Sequence, residues 1–389
     1  MCAALFALSL IACTGAADRV AVPEPLVEEA SVDGLRDIRF WGDAPPPNMK
    51  QLLGEKFRRT KRYRPQFIQE GKSTPFDYLA LSGGGSDGAF GAGILAGWTE
   101  ARTRPEFDLV TGVSAGALIA PFAFLGPAYD KQLQEIYTAY STEELLRPQV
   151  LKGLLGGQSL YDISGLEGLI AHYVDSKLLA AVARQHRRGR WLLVGTSNID
   201  AQRPVIWNMG AIAASGRPDA IKLFRRVLLA SAAIPGVFPP VLIKVEADGK
   251  TYQEMHVDGG AVGQVFFLPE GIIATAAEYG IAFRGRLYVI RNGKLTPDWQ
   301  ATETSTLNIA QRSISTLIKS QGAADVAKLY SMAHRNNLEF SLAYIPPTFN
   351  RVAKDTFDVN YMRELFKLGY EQGRTGAAWN QKLPANIVQ

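Results

Sequence analysis

The sequence predicts an α/β fold, a mostly parallel sheet covered by helices on both faces. Three observations predict it. Short apolar runs of strand length recur along the chain, helical stretches lie between them, and two strand-to-helix junctions are built from glycine. Runs that are continuously apolar, rather than alternating, belong to strands buried on both faces, as helix-covered parallel strands are.

The elements follow in order. Tyr78-Leu79-Ala80-Leu81 reads as a buried strand entering the turn Gly83-Gly84-Gly85, and Gly88 to Trp98 suits a helix. Asp108-Leu109-Val110-Thr111 is a second strand, followed by a small-residue helix from Ser114 to Phe124. Trp191 to Gly195 and Arg286 to Ile290 are further buried strands, with helical stretches at Leu166 to Val174 and Ile221 to Ala232. Thr302 to Arg335 reads as largely helical, and Asn360 to Gly373 as a closing helix. Internal repeats and low-complexity tracts are absent.

Composition bounds the function classes. Of 389 residues 47% are apolar and 20% charged, values of a globular chain with a sizeable core. The net charge of +5 is too small to argue for nucleic acid, though it tolerates an anionic lipid surface. Both cysteines, Cys2 and Cys13, sit at the N-terminus, so no disulfide framework or cysteine metal site can form in the folded body. The four histidines, His172, His186, His256 and His334, are too far apart in sequence to suggest a zinc motif. No metal or organic cofactor is implied.

The run Ala3 to Ala12 is about half of what a membrane-spanning helix requires, but it suits the apolar region of a signal peptide. Leu10-Ile11-Ala12-Cys13 resembles a bacterial lipobox, in which cleavage leaves a lipidated Cys13 as membrane anchor. No Lys or Arg precedes the run, a departure from that pattern. With Thr14 next in line, the resemblance implies an outer-membrane lipoprotein of the cell envelope facing the periplasm. Residues 14 to about 48, with Pro45-Pro46-Pro47, read as a tether or irregular arm. Lys50, Lys56, Arg58, Arg59, Lys61, Arg62 and Arg64 follow as a basic stretch, either a contact for anionic headgroups or a solvated helix face with internal partners.

Three sites carry chemistry. Gly112-Val113-Ser114-Ala115-Gly116 places a serine on a sharp strand-to-helix turn, where its Oγ stands clear of the backbone and Gly112 and Gly116 relieve crowding. The helix that follows directs its N-terminal amides at the serine and favours negative charge there. Gly83-Gly84-Gly85-Ser86-Asp87-Gly88 satisfies a dinucleotide fingerprint, yet no acid ends the second strand, and no Gly-Lys-Ser/Thr follows for a P-loop. Glycine amides without Cβ interference suit an oxyanion hole instead. Asp258-Gly259-Gly260, after the strand-like Met255-His256-Val257, sets a carboxylate at an open turn.

Together and in this order, the three sites resemble the patatin-like phospholipase family, with its G-G-G-x-x-G loop, G-x-S-x-G elbow and D-G-[GA] motif. The block from Ala230 to Pro240 (Ala-Ser-Ala-Ala-Ile-Pro-Gly-Val-Phe-Pro-Pro) is also similar to that family. The resemblance implies a three-layer α/β sandwich with Ser114 as nucleophile and Asp258 as base. It places the oxyanion hole at Gly83, Gly84 and Gly85, with Gly84 and Gly85 as the amide donors. The substrate would be a membrane phospholipid or other acyl lipid. The chain then divides into a signal and lipobox segment (1–13), an arm with the basic stretch (14–75), a catalytic domain (76–292) and a mainly helical extension (293–389). Many members carry Lys or Arg where this chain has Asp87. A carboxylate there opposes an oxyanion unless it turns to solvent or pairs with a cation. Two other readings stay open: a Ser–His–Asp esterase using His334, and a non-catalytic envelope lipoprotein with a degenerate hydrolase fold.

Overall fold

The computed structural model describes residues 19–32, 35–67, 75–149, 159–269, 272–273, 284–299 and 301–387. The lipobox and Cys13 lie outside them. Among the described residues, nine strands form one sheet: β1 (Arg39–Trp41), β2 (Phe76–Leu81), β3 (Leu109–Val113), β4 (Trp191–Asn198), β5 (Arg203–Asn208), β6 (Val241–Ala247), β7 (Lys250–Asp258), β8 (Gly285–Arg291) and β9 (Leu338–Tyr344). The order is β1-β5-β4-β3-β2-β8-β9, with β7 also paired to β4 and β6 to β7. The central pairs β4–β3, β3–β2, β2–β8 and β8–β9 are parallel and the others antiparallel, so that only β5 and β7 run against the remaining strands.

The helices that matter for the site are α1 (Met49–Tyr63), α2 (Gly88–Glu100), α3 (Ala115–Leu125), α4 (Ala220–Ser231), α5 (Thr306–Arg335) and α6 (Val359–Thr375). Side chains alternate across a strand, and the two faces of β2 fill two different cores. Leu79 and Leu81 pack with Phe90 and Ile94 of α2, Ile119 of α3, Phe224 of α4 and Leu365 of α6. Tyr78 and Ala80 pack with Met49 and Leu53 of α1 and with Val326 and Leu329 of α5. The expected three-layer α/β arrangement is therefore present. Burying each large apolar side chain contributes about 1.5–3 kcal/mol, which is what holds helices to both faces.

Two segments differ from the sequence reading. The arm is packed: β1 pairs along the edge of β5, and Arg39 donates to both carboxylate oxygens of the buried Glu254. The C-terminal segment supplies the edge strand β9 in addition to its helices. Its last helix is also built into the fold, because α2 and α6 cross through four glycines. A Cβ on Gly93 or Gly97 would lie 2.2 Å from the Phe366 carbonyl oxygen or 2.0 Å from that of Tyr370. A Cβ on Gly369 or Gly373 would meet the carbonyl oxygens of Phe90 at 2.2 Å and Ile94 at 2.3 Å. Backbone touches backbone here, and no other residue fits.

The basic stretch lies along α1, at the end of the sheet where β3 and β4 begin. Lys56 donates to the Gly189 carbonyl (2.6 Å), Arg59 sits against His186 (2.8 Å), and Arg64 forms a buried ion pair with Asp108. Arg58, Lys61 and Arg62 are exposed. Much of the stretch thus has internal partners, and it sits at the opposite end of β3 from Ser114. Asp108 is fully buried and also accepts from the Asp77 amide (2.8 Å). Removing its cation strands a carboxylate in the interior, which costs about 3–5 kcal/mol. Arg64→Met is expected to lower unfolding stability by that amount in a denaturant titration, and Asp108→Asn added to it should recover part. An unchanged midpoint in Arg64→Met would show that the pair contributes nothing.

Candidate active site

The sheet brings the elbow and the Asp258 turn together by a simple device. β3 runs along one edge of β4 as far as Val113, opposite Gly195. On that same edge β7 arrives from the other direction and pairs with β4 from Asn198 to Thr196, ending at Asp258. The two strands meet end to end, and Ser114 and Asp258 are the residues at the meeting point.

Ser114 has φ 54° and ψ −126°, a left-handed conformation that a residue with a Cβ adopts only at a cost of about 1–3 kcal/mol. The turn is held from outside. The Ser114 amide donates to Ser231 Oγ (3.0 Å), which donates in turn to the Gly195 carbonyl (2.6 Å). Ser231 closes α4 at the start of the Ala230–Pro240 block, and no local pattern marks it as the clamp of the elbow. Around it the backbone is close-packed. A Cβ on Gly112 would lie 2.4 Å from the Gly116 carbonyl oxygen, one on Gly116 2.4 Å from that of Leu81, and one on Gly259 2.5 Å from that of Gly195.

The Ser114 side chain lies close enough to the Asp258 carboxylate to favour its charged form, and that carboxylate accepts from the Gly260 amide (2.7 Å). Both residues are nearly buried, at 7% and 5% exposure. Burial pushes the Asp258 carboxyl up to about 7, and the nearby Ser114 side chain and the Gly260 amide only partly oppose this. Gln264 Nε2 donates to the Gly260 carbonyl (2.9 Å), and a Cβ on Gly260 would lie 2.6 Å from that nitrogen.

The glycine loop lies against the serine: a Cβ on Gly83 would be 3.1 Å from Ser114 Cβ. One of the three expected hole residues is not available as a donor, since the Gly83 amide donates to the Gln264 carbonyl (3.0 Å). The amides of Gly84 and Gly85 have no partner among the described residues. Gly85 has φ +57°, a left-handed turn that suits glycine, and a Cβ on Gly84 would lie 2.1 Å from the Asn292 carbonyl oxygen. Gly88 opens α2 against the Tyr137 ring, 2.6 Å from where its Cβ would be.

Asp87 neither turns wholly to solvent nor forms an ion pair among the described residues. Tyr361, on α6, donates its hydroxyl to Asp87 Oδ1 at 2.6 Å. Burial raises the Asp87 carboxyl to about 6, opposed by that hydrogen bond and by the charge of Arg291. The Tyr361 hydrogen bond takes up part of the Asp87 charge that would otherwise oppose an anion at the glycine loop.

The histidines stand apart from Ser114 and Asp258. His256 is fully buried, with Nδ1 3.0 Å from Thr196 Oγ1 and Nε2 3.0 Å from Glu254 Oε2, so both ring nitrogens are engaged away from Asp258. His334 is exposed on α5 and meets the Tyr330 ring edge to face. Among the described residues no group of three or more His, Cys, Asp and Glu side chains could hold a metal ion. A cleft of about 1080 Å³ under the arm, lined by Trp41, Pro45 and Glu246 among others, touches none of the site residues.

Residues 79–269 match the model of the patatin-like phospholipase family. The chain carries a patatin-like phospholipase domain. The matched segment holds the glycine loop, the elbow and the Asp258 turn, the three sites that the fold brings together. No curated protein sequence matches the chain. Among solved structures, VipD from Legionella pneumophila is similar at 12% identity and a TM-score of 0.39, covering 79% of this chain and 67% of that one. Human GIVD cytosolic phospholipase A2 is similar at 10% identity and a TM-score of 0.31, covering 81% and 56%. The type III effector protein ExoU is similar at 12% identity and a TM-score of 0.32, covering 78% and 54%. The chain spans little more than half the length of the last two.

Proposed function

We propose that the chain cleaves acyl esters of phospholipids or lysophospholipids through a Ser114–Asp258 dyad and an acyl-enzyme. Support comes above all from the placement of Ser114 and Asp258 at the meeting ends of β3 and β7, at a point that no imidazole reaches. Asp258 takes the proton from Ser114 Oγ as the oxygen attacks the ester carbonyl. The Gly84 and Gly85 amides receive the negative charge that develops on the carbonyl oxygen, aided by the N-terminal end of α3. Collapse of the tetrahedral adduct expels the alcohol, which takes the proton from Asp258, and the acyl group stays on Ser114. Water, deprotonated by Asp258, then releases the fatty acid and regenerates the serine. A carboxyl whose affinity for protons is balanced near neutral pH is suited to both halves of this cycle. The lipobox-like Cys13 belongs to the same proposal, as an anchor that would keep the chain at a periplasmic membrane surface rich in such substrates.

The test separates dyad from triad. On phosphatidylcholine and lysophosphatidylcholine vesicles, His334→Ala is expected to keep parental activity and His256→Ala to lose no more than about tenfold, through disturbed positioning of β7. A triad enzyme loses several orders of magnitude without its histidine. Loss on that scale in either folded variant would assign the proton transfer to imidazole and remove the dyad. No release of fatty acid from any lipid by the parent would remove the lipase reading itself.

A further inference from the structure

Behind the glycine loop lies a charge that the mechanism above does not use. Arg291 ends β8 and is 4% exposed, yet it forms no ion pair with a carboxylate among the described residues. Its Nη1 donates to the Gly83 carbonyl oxygen (2.9 Å) and to Ser82 Oγ (3.0 Å), while its buried Nε has no partner. Room for the guanidinium is made by Gly322 of α5, where a Cβ would lie 2.8 Å from Nη2. Burial lowers the Arg291 pKa, and the charges of Asp87 and Asp325 oppose this. The next residue continues the grip. Asn292 donates through its amide nitrogen to Ser82 Oγ (2.8 Å) and through Nδ2 to the Ser82 carbonyl (2.9 Å), while its Oδ1 accepts from the Gly91 amide (3.1 Å).

The acceptor of Arg291 is one end of a peptide whose other end matters. The Gly83 carbonyl and the Gly84 N–H belong to the same trans peptide plane and point in opposite directions. Holding the oxygen against β8 turns the Gly84 N–H to the open side of the loop. Gly84 is flanked by glycine on both sides, so the chain itself does little to fix that plane. A cation on the carbonyl end also polarises the peptide and strengthens the opposite N–H as a donor.

We propose that Arg291 is a positioning residue of the oxyanion hole, fixing the Gly83–Gly84 peptide so that the Gly84 N–H meets the oxyanion formed on attack by Ser114. The proposal rests on the reading of Ser114 as nucleophile. Loss of one oxyanion donor costs about 100- to 1000-fold in kcat. Arg291→Met, which removes the cation and leaves the Gly83 carbonyl only the Ser82 hydroxyl (2.7 Å) as donor, is expected to lower kcat on a soluble short-chain ester about 100-fold with KM unchanged. Arg291→Lys keeps the charge and one donor but not the fork, and is expected to lose about tenfold in kcat alone. Parental kcat in folded Arg291→Met overturns the proposal. So does a loss in both variants that tracks KM and melting temperature, since that is the mark of a merely structural side chain. Should the methionine variant fail to fold, parental kcat in Arg291→Lys overturns it by itself. Ser114→Ala is run beside them. Turnover surviving there defeats the premise, whereas inactive Ser114→Ala with fully active Arg291 variants defeats only the inference.

Discussion

Ser114→Ala is expected to bring ester hydrolysis to background and to abolish labelling by a fluorophosphonate probe, with the fold intact. Removal of a nucleophilic serine costs about six orders of magnitude in comparable hydrolases. Little else changes. The Ser114 amide keeps its bond to Ser231, and the Cβ that makes the left-handed turn unfavourable is still present. Ser114→Gly provides the contrast: equally inactive, but melting higher than Ser114→Ala, because a glycine at φ 54° relieves strain of about 1 kcal/mol or more. Hydrolysis by well-folded Ser114→Ala above the rate of an empty preparation would remove Ser114 from the mechanism.

Asp258→Asn should lose about four orders of magnitude, since an amide cannot take the serine proton. Its stability should move the other way. In the folded chain Asp258 holds its proton up to about pH 7, whereas in the unfolded chain it releases it near 4. The native state therefore carries the extra proton between those values. Stability from it is complete below the unfolded pKa, falls as pH rises and is lost above about 7. Asparagine has no such loss, so Asp258→Asn is expected to gain on the parent by a few kcal/mol between pH 4 and 8. The parent's kcat/KM should rise tenfold per unit below about pH 7 and level above it. An Asn variant that is active, or a parental profile flat from pH 5 to 8, would show that Asp258 is not the base.

The parts that were legible in the sequence are those whose cause is local. β2, β3 and β8 are continuous apolar runs, and each motif glycine sits beside the residue it serves. Ser114 and Asp258 were recognisable because each turn has its own short pattern. What escaped depends on distant partners. β9 was absorbed into a helical reading of the C-terminal segment, although Leu338, Phe340 and Leu342 alternate inward on a strand that runs beside β8. The hairpin of β6 and β7 carried a similar signal, with Val241, Ile243 and Val245 buried and Lys244 and Glu246 exposed. Gly83 looked identical to its two neighbours. Only the carbonyl of Gln264, about 180 residues onward, removes its amide from the hole. Arg291, Ser231 and Tyr361 carry no motif at all. Their roles arise because β8, α4 and α6 end or pass beside the same loop.

The glycine crossing of α2 and α6 sets a lower limit on what can be cut away. The family match ends at residue 269, but the crossing, β9 and the Tyr361 hydroxyl all lie beyond it. A chain stopped there would expose bare main chain along α2, a helix with hardly a side chain to shield it. It would also lose β8 and β9 and leave β2 as an open edge, a template for strand addition by another copy. The smallest fragment that could be handled in isolation is therefore set by Trp379, whose ring packs against Trp98 of α2, and not by the last residue of chemistry.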